Sequence, residues 1–392
     1  MMMYPLWRPL LAPFLCLGLV GLSGCIPHAQ AQAQVKQEPP ATKSVSTAPK
    51  PVKKSKSKKT KPSQVKLGKA FGNTVAVKTL ASDIAHKHGL PRTWVQQQIA
   101  KARLLPQVQQ MILPPSTPTA KNWAAYRARF IEPQRIQAGV AFWQQHADEL
   151  ARAEQTYGVP AHYIVGILGV ETYFGQHQGQ YKVVDALATL SLAFPSQHPQ
   201  AAERATFFKT ELGFHLQQRW KEASLKNQLG SYAGAVGWPQ FMPSSVAKFA
   251  VDFDRDGHVN LSKSAIDAIG SVARYFQAYG WQTGMPTHFE VTVQAQGAEL
   301  EALLAPDIVP TWSAAHLAEK NVSLSDAGQG YGQPLALVEL FNGNDKPSYV
   351  AGTENFFVIT RYNRSSYYAL AVIELGEAVR AARIASEIRP SQ

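Results

Sequence analysis

Val165-Gly166-Ile167-Leu168-Gly169-Val170-Glu171-Thr172-Tyr173-Phe174-Gly175 holds a single charge, and that charge falls on an apolar stripe. Pro160 opens a helix here at its tolerated first-turn position, and Gly175 can stop it. On that helix Ile164, Leu168 and Glu171 share one face. The stripe is buried, and glutamate seldom occupies such a place without a partner or a purpose. Burial and the helix C-terminus nearby both disfavour a negative carboxylate, so Glu171 is expected to hold its proton near neutral pH. A protonated carboxyl suits general acid catalysis of glycosidic cleavage. The competing account is a stripe-edge glutamate paired with an arginine, and the stripe alone leans that way.

Outward from this segment the chain reads as α+β, helical at both ends with one small β insertion. Leu80, Ile84 and His88 form a helical stripe ended by Gly89, and Trp94, Val95, Ile99 and Ala102 form another after Pro91. After a proline-rich break at 114–118, a long helical stretch holds Trp123, Tyr126, Phe130, Ile136, Val140 and Trp143. Helices are expected near 203–224, 265–279 and 366–385, with a glycine-rich turn at 230–237. Alternation predicts strands at 288–293, 336–340 and 355–360. The expected organisation is a signal at 1–25, a tether at 26–70 and a helical lobe at 71–155. A catalytic core at 156–284, a β domain at 285–360 and a C-terminal helix at 361–392 follow.

The segment around Glu171 resembles the catalytic segment of the lytic murein transglycosylase B family, lysozyme-like enzymes with one glutamate as sole acid and base. The resemblance continues in Asp185-Ala186-Leu187-Ala188-Thr189-Leu190 and in Ala233 through Ser245, which contains Gly237-Trp238-Pro239-Gln240-Phe241-Met242-Pro243. It extends through Val251-Asp252-Phe253-Asp254, Asp267-Ala268-Ile269-Gly270-Ser271 and Asn355 through Asn363. It implies a mostly helical lysozyme-like core and cleavage between N-acetylmuramic acid and N-acetylglucosamine. The muramoyl C6 hydroxyl then attacks C1, giving a 1,6-anhydromuramoyl end without water. Intramolecular attack gains from high effective molarity. Two-carboxylate hydrolysis needs a second acid; Asp185 and Glu203 are available but read as structural. Hydrolysis, as in a muramidase, and a non-catalytic wall-binding lipoprotein are the alternatives.

The resemblance places Ser231, Tyr232 and Gln240 along the glycan, with Tyr362 and Asn363 on a second wall. Tyr126 is divided between glycan contact and core packing. Where the family often has paired basic residues after Phe-Pro or Tyr-Pro, this chain has a longer loop and then Arg204, which is expected to stand in for them.

Asp252-x-Asp254-x-Asp256-Gly257-His258 follows the first half of an EF-hand loop, with the His258 carbonyl at the seventh position. Lys263 stands where the bidentate glutamate belongs, and Asp267 matches the later closing carboxylate of the resembling family. Structural calcium is expected, against a solvated acidic turn; catalysis needs no cofactor.

The N-terminus is a secretion signal, an apolar run from Leu10 to Leu22 after Arg8, too short to span a bilayer comfortably. It closes on Leu22-Ser23-Gly24-Cys25, which resembles a lipoprotein lipobox with Cys25 as the lipidated residue. An ordinary signal with a chance cysteine is the alternative. Ile26 favours the outer membrane over inner-membrane retention. Cys16 and Cys25 are the chain's two cysteines, so the mature protein is expected to hold no disulfide, and burial must stabilise it. The tether carries eleven lysines against Glu38 and nearly all of the net charge of +12. A basic tether beside a near-neutral folded part argues against nucleic-acid binding. The expected partners are peptidoglycan strands, a membrane through the anchor and wall-synthesis proteins, for a monomer on the periplasmic face.

Overall fold

The computed structural model describes residues 65–114 and 121–388. The signal, Cys25 and the tether up to residue 64 lie outside the described residues. Within them no helix is long and apolar enough to cross a membrane.

The central element is the helix Ala161–Thr172, in which every residue except Glu171 is buried. Sequence periodicity reads one apolar stripe here; the helix is instead surrounded on all sides, as a core helix is. Its main neighbour is the C-terminal helix Ser366–Ile388. Two glycines set how near these helices come. A Cβ on Gly166 would lie 2.2 Å from the Val372 carbonyl oxygen, and one on Gly376 would lie 2.1 Å from that of His162. The pairs 162–376 and 166–372 run in opposite senses, so the helices are antiparallel.

A second apolar core joins the N-terminal lobe to the helices Val183–Leu192 and Ala201–Lys221. The lobe is built from Val75–His88, closed by left-handed Gly89, and from Arg92–Lys101. One helix face ties it down. Asp185 accepts the Arg103 N–H at 3.0 Å, and Thr189 Oγ1 accepts that of Leu105 at 3.0 Å. Burial raises the Asp185 pKa, opposed by that backbone hydrogen bond and nearby cations. Its environment is structural.

The β insertion is a four-stranded antiparallel sheet in the order Val322–Leu324, His288–Val293, Asp345–Gly352, Ala336–Asn342. Phe289, Leu335 and Leu337 on one face pack a small third core with Leu303 and Leu317, from two short helices that alternation does not reveal. Val338 and Leu340 on the other face join the main core.

Residues 355–360, expected as strand, form the helix Glu354–Thr360. Thr353 caps it by accepting the Asn355 N–H, and Phe356, Val358 and Ile359 enter the main core. Tertiary burial overrides a β-prone composition here. The long helical stretch expected from Trp123 is two helices, Trp123–Arg127 and Pro133–Gln145, because Pro133 starts a new one.

Candidate active site

The chain turns sharply just beyond Glu171. Tyr173 and Phe174 are left-handed at φ 52° and 55°, and Gly175 follows at φ 80°. A Cβ on Gly175 would meet the Trp238 ring at 2.4 Å. Thr172 fixes the turn by donating to the Trp238 carbonyl and accepting the Gly175 N–H, each at 2.9 Å. Arg135 holds it from outside. Its guanidinium donates to the Gly169 carbonyl at 2.7 Å and lies over the Tyr173 ring at 4.5 Å. These contacts bracket Glu171 two residues before and two after, and a cation offsets the helix's negative end.

So fixed, Glu171 stands half-buried in the wall of a cleft of about 720 Å³. The buried Tyr368 hydroxyl donates to Glu171 Oε1 at 2.6 Å, and its ring stacks on Tyr362 at 6.3 Å. Tyr275 also lines the cleft and donates to the Arg361 carbonyl at 2.6 Å. Its pKa is raised well above the ordinary phenol value, chiefly by burial, with Tyr279 and the Glu171 charge adding to the shift. It stays neutral beside the carboxyl.

Five of the seven expected glycan-contact residues line this cleft: Ser231, Tyr232, Gln240, Tyr362 and Asn363. The Ser231 hydroxyl accepts the Ala235 N–H at 3.0 Å, tightening the turn that sets Tyr232 in the wall. Gln240, left-handed at φ 49°, commits its amide nitrogen to the Gly237 and Gln178 carbonyls at 2.9 and 3.3 Å. The Tyr362 hydroxyl donates to the Pro239 carbonyl at 2.5 Å, so its ring, not its hydroxyl, is what it offers a ligand.

The other two, Arg204 and Tyr126, are not in this lining. Arg204 does not line the cleft; it is buried, with its guanidinium 5.7 Å from the Phe208 ring centre. Burial lowers its pKa, with the charges of Tyr232 and Glu203 opposing. A cation at that depth stands away from the cleft lining. Tyr126 is absent from the lining too. It packs in an aromatic cluster with Trp123, Phe130 and Tyr367, and Phe130 is the member that reaches the cleft. Glu203 is exposed on the first turn of its helix. Glu171 is thus the sole carboxylate among the described residues lining the cleft.

Tyr368, Tyr275 and Arg135 escape a reading of sequence. Each is an aromatic or cation at helical spacing amid apolar residues, a pattern that signals packing. Only a hydroxyl or guanidinium needing a buried partner hints otherwise.

None of the residues of the acidic loop lines the cleft. Asp252, Asp254 and Asp256 bring carboxylate oxygens within 4.8 Å of one another. Left-handed Arg255 and Gly257 curl the loop, and Asp252 accepts the Gly257 N–H at 2.9 Å. Ser264 donates to Asp254 at 2.7 Å. The His258 ring lies 3.8 Å from Glu222, which leaves its carbonyl as its contribution to the loop. An all-oxygen set of this kind fits a hard cation such as calcium. Asp267, expected as the closing ligand, does not converge with the other three carboxylates. It is fully buried and accepts the Phe253 and Asn260 N–H groups at 2.8 and 2.7 Å. Burial raises its pKa while those bonds oppose. These bonds tie the two ends of the loop together.

The chain matches the Transglycosylase SLT domain family over residues 72–377. It is 38% identical over 338 residues to membrane-bound lytic murein transglycosylase B of Escherichia coli (strain K12), covering 82% of this chain and 87% of that protein. The E. coli lytic transglycosylase Slt35 in complex with bulgecin A superposes with a TM-score of 0.70 at 38% identity, over 82% of this chain and 97% of that one. Slt35 has also been solved in complex with calcium. SltB1 of Pseudomonas aeruginosa, a soluble lytic transglycosylase, gives a TM-score of 0.69 at 38% identity, over 78% of this chain and 99% of that one.

Proposed function

We propose, from the premise that this chain belongs to the Transglycosylase SLT domain family, that it is a lytic transglycosylase of peptidoglycan with Glu171 as its sole acid and base. The observation that carries this reading is the solitary Glu171 carboxyl in an aromatic and amide-lined cleft. A glycan strand lies along that cleft with the bond between N-acetylmuramic acid and N-acetylglucosamine at Glu171. Tyr368 holds Oε1, so Oε2 presents the proton to the bridging oxygen. The C1–O bond breaks as that oxygen is protonated, and positive charge develops on the muramoyl ring. The carboxylate left behind takes the proton of the C6 hydroxyl while that oxygen bonds to C1. The acid is restored, and a 1,6-anhydro ring closes. Hydrolysis by a muramidase route calls for a second carboxylate to activate water or bond to C1, and the described residues of the cleft lining supply none.

Tyr362 and Tyr232 offer ring faces to the sugars, and Gln240 Oε1 accepts from an acetamido N–H. Ser231 and Asn363 supply polar edges. Asp252, Asp254, Asp256 and the His258 carbonyl hold a structural calcium ion remote from the chemistry. Cys25 carries a lipid anchor that tethers a monomer to the periplasmic face of the outer membrane, within reach of the wall and of wall-synthesis proteins.

Mass spectrometry of digested sacculi tests the reaction. Muropeptides ending in anhydromuramic acid, lighter by one water than hydrolysis products, are expected from the native chain and absent with Glu171→Gln. Reducing muramic ends instead would establish hydrolysis.

A further inference from the structure

Arg361 is the only lysine or arginine among the described residues lining the cleft. It is half-buried, at the C-cap of the helix Glu354–Thr360, next in sequence to the wall residues Tyr362 and Asn363. Its backbone is pinned from both sides, since its N–H donates to Val358 and its carbonyl accepts the Tyr275 hydroxyl. Its guanidinium lies 5.4 Å from the Tyr279 ring centre and 5.5 Å from that of Phe357. Glu354 is the acid that feels its charge, yet no ion pair joins the two among the described residues. An arginine lying over aromatic rings without an ion-pair partner keeps N–H donors available, and a planar donor fork matches a carboxylate. Arg204, the cation expected to meet the substrate, is buried and absent from the lining.

We propose that Arg361 is the residue that recognises a carboxylate carried by the muramoyl substituent of the glycan strand. This rests on the transglycosylase reading, because it takes the occupant of the cleft to be peptidoglycan. Two sources offer the same chemistry. Where a peptide stem is attached, its own carboxylates are the anions; where the stem has been removed, the lactyl carboxylate is exposed. Either makes a charge-assisted pair with Arg361 inside a partly desolvated cleft. The pairing anchors the strand without taking part in bond breaking, so its loss shows in KM more than in kcat.

The experiment uses the full-length chain with Arg361→Gln and Arg361→Lys. Three soluble strands are compared: one with intact stems, one stripped of stems, and one whose carboxylates have been converted to amides. KM on a carboxylate-bearing strand is expected to rise about tenfold for Arg361→Gln, with kcat changing less, and Arg361→Lys, which keeps the charge but not the fork, is expected to recover part of the loss. On the amidated strand the two variants and the native chain should share one raised KM. The strand showing the difference identifies the source of the anion. An equal rise on the amidated strand, or no rise on either anionic strand, overturns the proposal. Should Arg361→Gln fail to fold, the native chain decides: equal KM on native and amidated strands also overturns it. Failure of the parent reading looks different, since the native chain would then release no anhydro ends from any strand.

Discussion

The Tyr368 hydroxyl donates a 2.6 Å hydrogen bond to Glu171 Oε1 across 197 positions of sequence. In the proposed mechanism this bond holds Oε1 while Oε2 faces the scissile linkage. Tyr368→Phe keeps the buried ring and its stack on Tyr362 while removing the donor. Hydrogen bonds to ionised groups contribute about 1.5–3 kcal/mol, so kcat is expected to fall roughly ten- to hundredfold. KM should change little in steady-state assays of anhydro-end formation.

Glu171→Gln removes the proton donor and acceptor while keeping shape. General acid–base catalysis contributes about 10²–10⁴-fold, and one group here performs both proton transfers. Loss at or beyond the upper figure is expected, with the variant still bound to isolated sacculi in a co-sedimentation assay.

Gly166→Ala places a methyl 2.2 Å from the Val372 carbonyl oxygen. The helices must separate to admit it. Overpacking of this kind costs about 1–3 kcal/mol, read as a lower denaturation midpoint. Activity should fall further than stability, because the same separation draws Tyr368 from Glu171.

Two buried histidines make stability depend on pH. Burial pushes His215 down to about 3 and His162 to about 4, with Arg219 and Arg380 adding to the respective shifts. Both folded values lie below the unfolded one, so their stabilisation is full above about pH 6.5. It drains as pH falls towards the folded values, at up to about 1.4 kcal/mol per pH unit for each ring. Asp185 and Glu211 act in the opposite sense, since burial raises both and protonation favours the folded state. His215→Leu isolates the histidine contribution: urea melts between pH 7 and 4 should show a shallower acid slope than the native chain.

Chelation tests the acidic loop. With calcium at a hundredfold excess over its dissociation constant, binding adds about 2.7 kcal/mol to stability. A lower melting temperature after EGTA, restored by calcium and abolished by Asp254→Asn, is expected. Catalysis at temperatures well below the melt should persist without the ion.

How much of this was legible in the sequence follows from the range of each interaction. Glu171 could be read because its segment, its stop signal and the motifs around it are local. The three converging aspartates could be read for the same reason. Tyr368 could not, because its partner is distant and a tyrosine on an apolar helix looks like packing. Residues 355–360 misled because a short Phe-Phe-Val-Ile run fits a buried helix and a strand equally well; the Thr353 cap and the core around Phe356 decide it. Tyr126 was undecidable, since an aromatic stripe does not say which ring meets solvent. Asp267 stands apart from the three because its carboxylate accepts backbone N–H groups, a demand that spacing does not reveal.

The antiparallel seating of the helix Ser366–Ile388 on the glutamate helix also has a temporal meaning. A polypeptide emerges N-terminus first, so the acid exists long before the tyrosine that orients it. A chain that ends before residue 368 lacks the hydroxyl that holds Glu171 Oε1.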